Sequence, residues 1–431
     1  MSAPKENAKE VVDSSIESLQ TRLRAINQAV VEHPLPLPRA LLTRIYQIWD
    51  NPELAWQEHK AHDLLCDFLE GEGFDVTRHA YGVETSFEAR FGSGGRLVNF
   101  NAEYDALPGI GHACGHNLIA TSSLTAFLAL TSLLKKQNIP GRVQLLGTPA
   151  EENGGGKAAL IDAGAYNGVD ISLMAHGAPK NFLQGAGADG VAGVLMNARK
   201  RMYCEFTGKS AHAGGNPWEG VNALDALVST YNNISVLRQQ ILPDQRIHCA
   251  IIDTPKAANV IPEYAKAVWQ VRSPTLDGLN KLTARVRKCI EAGALATGCE
   301  VQILENELYT DIKLNETLCD LYQVYMTQHG RDVTKLYDKV LTGSSDIGNV
   351  SYIVPTLHTM FGIPAPKGTF HHHPSFAAAA GTDDAHREAI VVGKALAMVG
   401  WDMLTNDGLY EKARSQWEHQ LFVSDNSNSQ E

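Results

Sequence analysis

What this 431-residue chain has little of narrows its class before any motif is read. It has no excess of basic charge. Lys and Arg number 37 against 48 Asp and Glu, a formal net charge of −11, and no basic run is interleaved with aromatics. Nucleic acid is therefore not the expected partner. No run of 18 apolar residues occurs, so no membrane span is expected, and the polar, charged start lacks the apolar core of a signal peptide. Cysteine is sparse: seven residues, scattered from Cys66 to Cys319 and odd in number, which argues for reduced thiols and against a disulfide framework. A cytoplasmic location is the expectation. Internal repeats and low-complexity tracts are missing as well. What is present is 44% apolar content in a chain long enough for a large core and two domains.

Periodicity orders the elements. Residues 14–33 read as a helix with Ile16, Leu19, Leu23, Ile26 and Val30 on one face, and Pro34, Pro36 and Pro38 separate it from a second helix over 39–49. Residues 58–71 form a third. Short strands are expected over 74–76, 86–91 and 97–102, then a buried helix over 118–134 and a strand over 141–147. Gly154-Gly155-Gly156-Lys157 opens a helix through Ala165; the spacing is not that of a phosphate-binding loop and no Ser or Thr follows the Lys, so nucleotide binding is set aside. A strand over 169–175 ends at His176. Beyond about residue 195 the texture changes to two helices with about four strands, and from about 309 the Gly/Ala-rich α/β texture resumes. The predicted architecture is α/β: a mixed or parallel sheet flanked by helices, carrying an inserted α+β domain. The boundaries are 1–194 and 309–431 for the first domain, with a disordered tail from Ser424, and 195–308 for the insert.

The chain is organised around residues 101–117, where Glu103 and Asp105 precede His112, Cys114 and His116 in a Gly-rich loop between a strand and a helix. Three further polar clusters fall at strand ends or loops: Glu151-Glu152, His176, and His371-His372-His373. Singly, each has a bland reading, as a core histidine, a solvated acid pair or an exposed loop. Together they supply thiolate, imidazole and carboxylate, the donors that a borderline divalent metal prefers. Neighbouring side chains on extended backbone diverge, so one Glu of the pair can bind metal while the other faces water, a division suited to metal-assisted hydrolysis.

Asp-Ala-Leu-Pro followed by Gly-His-Ala-Cys-Gly-His, then Pro-Ala-Glu-Glu, then Met-Ala-His, resembles the M20 metallopeptidases, in their amidohydrolase branch (subfamily D) and its aminoacylase-1-like group. The resemblance runs from about Ala40 to Met403. It implies Cys114, His116, Glu152, His176 and His372 as metal ligands, with His371 or His373 as alternatives to the last. It implies Glu151 as general base, Asp105 as the carboxylate that orients a ligating imidazole, and His112 as a packing neighbour. In the insert, Gly208-Lys209-Ser210-Ala211-His212 is similar to the lid or dimerisation domain of that family. There His212 would steady the oxyanion, and Asn259 and Arg272 would bind a substrate carboxylate. Asp346 would meet a substrate ammonium group or cap a turn. Glu103 departs from the peptidase branches, which place a His ligand there. The implied cofactor is a divalent metal as a binuclear pair, with zinc first and manganese or cobalt as alternatives. The implied activity is hydrolysis of a small dipeptide or N-acyl amino acid by metal-activated water, in a homodimer or higher homo-oligomer. Two alternatives stay open: the same site run toward amide formation or acyl transfer, and a metal-binding scaffold without turnover.

Overall fold

The structure, a computed structural model, describes residues 48–183, 189–337 and 340–427. The expected helix over 14–33 and all but the end of that over 39–49 lie outside the described residues. The chain divides into two compact units. The first comprises the described parts of Met1–Leu195, Ile312–Val340 and Asn349–Glu431; the second comprises Met196–Asp311 with Leu341–Gly348.

Among the described residues, the first unit is built on eight strands: β1 (Asp75–Arg78), β2 (Phe87–Ser93), β3 (Leu97–Ala102), β4 (Gly141–Gly147), β5 (Ile171–Pro179), β6 (Gly190–Gly193), β13 (Val333–Leu336) and β14 (Thr356–Ile363). They form one mixed sheet in the order β1-β2-β4-β3-β5-β14-β6-β13. The central run β4-β3-β5-β14 is parallel, and β3, β5 and β14 are buried along their whole length. The polar side chains inside these buried strands are paired: Asn101 Nδ2 donates to Ser172 Oγ at 2.8 Å, and Ser172 Oγ donates to Asn99 Oδ1 at 2.8 Å.

Helix His116–Gln137, long and apolar enough by composition to cross a membrane, is instead 94% buried over that window as the core helix of this unit. It packs against Asp383–Thr405, and small residues set the distance. A Cβ on Gly393 would come within 2.5 Å of Thr125 Cβ and 2.6 Å of the Ser122 carbonyl oxygen. Two expectations change here. β5 continues past His176 to Pro179, because Gly177, Ala178 and Pro179 are buried and pair with Phe361, Gly362 and Ile363 of β14. A helix, Asp407–Ser427, also runs into the segment expected to be disordered; Trp417 Nε1 donates to the Ser351 carbonyl and Gln420 Nε2 to that of Leu314.

The second unit holds β7 (Ala198–Thr207), β8 (Ala211–His212), β9 (Arg246–Asp253), β10 (Val260–Ile261), β11 (Tyr264–Ser273) and β12 (Glu300–Tyr309). Four of them make an antiparallel sheet, β12-β7-β11-β9, and β8 pairs with β10 in a small ribbon. Helices Ala223–Leu237 and Leu276–Thr297 share this unit's apolar core with Met202, Cys204 and Phe206 of β7 and Trp269 of β11. Both helices are capped, by Asn222 Oδ1 and Thr275 Oγ1 respectively.

Candidate metal centre

The segments carrying Glu103 and Asp105, Glu151 and Glu152, and His371–His373 follow β3, β4 and β14, while His176 lies in the last half of β5. All four strands are parallel, so these residues gather at one carboxyl edge of the sheet, where open α/β sheets bind ligands. Asp105, fully buried, ties two of the segments together. Its Oδ1 accepts from His116 Nδ1 at 2.8 Å and its Oδ2 from the Glu152 backbone N–H at 2.9 Å. Because Nδ1 donates to Asp105, the Nε2 lone pair of His116 faces the other donors. His176 is fixed the same way: Nδ1 donates to the Gly177 carbonyl at 2.8 Å, and Nε2 lies 3.5 Å from Cys114 Sγ.

Among the described residues, three groups of donor atoms each fall within 4.8 Å: Cys114, His116 and His176; Cys114, Glu152 and His372; Glu103, His116 and Glu151. The first two share the Cys114 sulfur. His116 Nε2 stands 3.9 Å from both Glu151 Oε2 and Glu152 Oε1, and His372 Nε2 stands 3.2 Å from Glu152 Oε1. His116 Nε2 and Glu152 Oε1 are buried yet make no hydrogen bond of acceptable geometry. Leaving such atoms unsatisfied costs about 1–3 kcal/mol each. A divalent cation among thiolate, imidazole and carboxylate donors would satisfy both, so these residues fit one.

Electrostatics point the same way. Burial, then the Glu152 carboxylate, pushes the Cys114 thiol well up, so the thiolate requires a nearby cation. Burial, then His371 and His116, holds His176 neutral, well below its ordinary range. Burial also works against a charge on His116, but Asp105 and Cys114 raise it well above the imidazole range, making it a strong base. For Glu152, burial raises the carboxyl while His372 and His116 beside it bring it net below its ordinary value.

The three consecutive histidines go three ways. His371 Nε2 donates to the Gly177 carbonyl at 2.9 Å and its ring stacks edge-on against His176. His373 caps helix Pro374–Ala380. His372, at a left-handed φ of 61° and tied by its backbone N–H to the Ala113 carbonyl at 2.8 Å, is the one beside Glu152. His112 donates to or accepts nothing from the donor set among the described contacts; its Nε2 bonds the Ile48 carbonyl at 2.9 Å.

Two buried polar residues, Lys157 and Glu58, were not singled out from the sequence as parts of this constellation, and Glu103 was named there without a ligand role. Glu103 and Lys157 form an ion pair at 2.5 Å with both side chains fully buried. Lys157 belongs to the Gly-rich run, and the glycines serve close packing: a Cβ on Gly156 would lie 1.7 Å from the Pro149 carbonyl oxygen. Glu58 is fully buried and accepts from the Ala150 N–H at 2.8 Å and from Thr85 Oγ1 at 2.8 Å. Ala150 has a left-handed φ of 59° and immediately precedes the Glu pair, so Glu58 braces the backbone that presents Glu151.

His212, Asn259, Arg272 and Asp346 all belong to the second unit. His212 Nδ1 accepts from the N–H groups of Gly214 (3.1 Å) and Gly215 (2.9 Å), which leaves Nε2 as the protonated, donating nitrogen. The Asn259 carbonyl accepts from the Ala213 N–H at 3.0 Å, so its backbone is fastened to the His212 loop. Arg272 Nη1 donates to Ser344 Oγ at 3.0 Å and the Thr342 carbonyl at 3.2 Å. Asp346 is fully buried, and the neighbouring Ser345 Oγ accepts from the Ile347 N–H.

Residues 99–398 match the model of peptidase family M20/M25/M40. The chain is 39% identical over 396 residues to the Xaa-Arg dipeptidase of Mus musculus, spanning 87% of this chain and 88% of the relative. It is 37% identical over 398 residues to the Xaa-Arg dipeptidase of Homo sapiens, with the same coverage. A solved structure of the Bacillus subtilis YXEP protein, described as a dinuclear metal binding peptidase from M20 family, superposes with a TM-score of 0.62 at 20% identity, covering 90% of this chain and 99% of that one.

Proposed function

We propose that this chain, which belongs to peptidase family M20/M25/M40, hydrolyses the amide bond of small dipeptides or N-acyl amino acids, dipeptides with a basic C-terminal residue being the first class to test. The observation that carries the reading is the pair of donor groups sharing Cys114, with Glu151 beside His116. Cys114, His116 and His176 would hold one divalent cation, and Cys114, Glu152 and His372 a second; zinc is the first choice, with manganese or cobalt as alternatives. A cation held there supplies Lewis acidity, polarising the amide carbonyl and lowering the pKa of water. Glu151 takes the proton from the attacking water and delivers it to the leaving nitrogen. Asp105 keeps His116 in the tautomer with Nε2 as a donor lone pair. His212 offers its Nε2–H to the oxyanion. Arg272 and Asn259 receive the substrate carboxylate, which a guanidinium can grip in a bidentate manner, and Asp346 a substrate ammonium group. The basic-residue preference is taken from the names of the mouse and human relatives. The seven unpaired cysteines suit a cytoplasmic location, and the edge strands β9 and β12 suit a homodimer.

The test is turnover of a dipeptide and N-acyl amino acid library, read by mass spectrometry, with metal-loaded wild type beside Glu151→Ala. The expected outcome is cleavage by the wild type and a loss of at least about 10²–10⁴-fold in the variant. Near-normal turnover by Glu151→Ala would refute the mechanism. Metal analysis and sedimentation of the same preparation check the cation and the dimer.

A further inference from the structure

We propose that Glu103 is itself a donor to the metal centre, adding a carboxylate oxygen beside His116 while Lys157 holds its other oxygen. The inference rests on the metal-centre reading above and extends it to a residue outside the ligand set implied by the sequence. Glu103 follows β3 directly and is fully buried. Its Oε1 accepts from Lys157 Nζ, also fully buried, and its Oε2 lies 3.4 Å from His116 Nε2. That nitrogen is the one left over once Nδ1 is taken by Asp105, and it is buried without a hydrogen bond. Two lone-pair donors at this distance repel unless a cation or a proton lies between them. The separation matches the edge of a coordination tetrahedron, about 3.4 Å for metal–ligand bonds of about 2.1 Å. Glu151 brings a carboxylate oxygen into the same group, in which the donor atoms all lie within 4.8 Å of one another.

The ion pair with Lys157 gives Glu103 two properties that a donor needs. The ammonium on Oε1 stops the carboxylate from rotating away, so Oε2 is presented in one orientation. The same charge compensates the carboxylate that Glu103 adds to a site already containing Cys114, Glu151 and Glu152. A buried Lys–Glu pair is by itself weak evidence for stability, because desolvation consumes most of its attraction. A role at the cation accounts for its position.

The experiment uses the full-length protein in three forms: wild type, Glu103→Gln and the double variant Glu103→Gln with Lys157→Met. The double variant removes both buried charges together and so separates loss of a donor from the folding penalty of a stranded ammonium. Metal content after gel filtration, zinc affinity by chelator competition and the visible spectrum of the cobalt-loaded protein are read alongside a thermal melt. If Glu103 is a donor, both variants lose affinity for a cation by more than the roughly 10–100-fold typical of a residue that only orients a ligand. The cobalt spectrum changes in both, and the double variant still folds. If the double variant binds zinc with wild-type affinity and shows the wild-type cobalt spectrum, Glu103 is only half of an ion pair and the inference is overturned. If the wild type itself binds no metal, the metal-centre reading falls, and this inference falls with it.

Discussion

Glu58→Gln tests whether a buried carboxylate braces the loop that presents Glu151. Glu58 has no exposed surface, and burial, followed by the charge of Asp105, pushes its carboxyl from 4.5 up to about 7. The hydrogen bonds from Thr85 and the Ala150 N–H act the other way but do not offset the desolvation. A raised folded-state pKa means that the folded protein binds this proton more tightly than the unfolded chain. The resulting stability is fully present below about pH 4.5 and is lost as pH rises through about 7. At about 1.36 kcal/mol per pKa unit, the loss is on the order of 3 kcal/mol. Glutamine keeps an oxygen to accept from Ala150 and gains an N–H to donate to Thr85, without a charge to bury. Metal-stripped wild type and variant are compared by urea denaturation between pH 4.5 and 8.5. Their stabilities should converge at the acid end and separate above pH 7, the variant being the more stable by about 1–3 kcal/mol. A difference that stays constant across that range would show that Glu58 does not titrate on folding, and the argument would fail.

Two substitutions probe the residues around the reaction. Asp105→Asn places an amide N–H where Glu152 N–H now finds an acceptor, so cation affinity should fall about 10–100-fold, measured by chelator competition. Unchanged affinity would mean that His116 and Glu152 are held by other contacts. His212→Ala removes the only donor proposed for the oxyanion and should lower kcat by about 10²–10³-fold with metal content unchanged; a rise in KM alone would reassign it to substrate binding.

The sheet and the donor residues were legible in the sequence for different reasons. β3 and β4 were legible from their short apolar stretches and the turn residues that bound them, although each carries a buried polar residue whose partner only the fold supplies, Asn99 Nδ2 donating to Gln144 Oε1 at 3.0 Å. Cys114 ends the loop and His116 opens the core helix two residues later, so the chain itself brings them together. Lys157 and Glu58 were not legible in this way. The partner that makes Lys157 tolerable in the interior is 54 residues away, and the amide braced by Glu58 is 92 residues away. A Lys after three glycines reads as a solvent-facing residue until the fold supplies Glu103, since Lys is almost never fully buried without a partner. The choice among His371, His372 and His373 was equally closed to spacing, because a single left-handed residue decides which imidazole faces Glu152.

That left-handed residue separates His372 from the other proposed ligands in kind. His116 and His176 are held by the core helix and by β5, whose pairing with β14 sets Met360 opposite His176. A slip of one residue in that register would turn the His176 side chain to the opposite face of the sheet, so these donors are as rigid as the sheet itself. His372 instead lies in a loop, with its side chain 54% exposed and one backbone hydrogen bond, to the Ala113 carbonyl, fastening it to the Cys114 loop. Exposed, lightly fastened segments open at lower free energy than buried strands. A cation held by Glu152 and His372 would therefore exchange faster than one held by His116 and His176. An asymmetry of this kind suits hydrolysis, because one position stays fixed while the other can admit water and substrate.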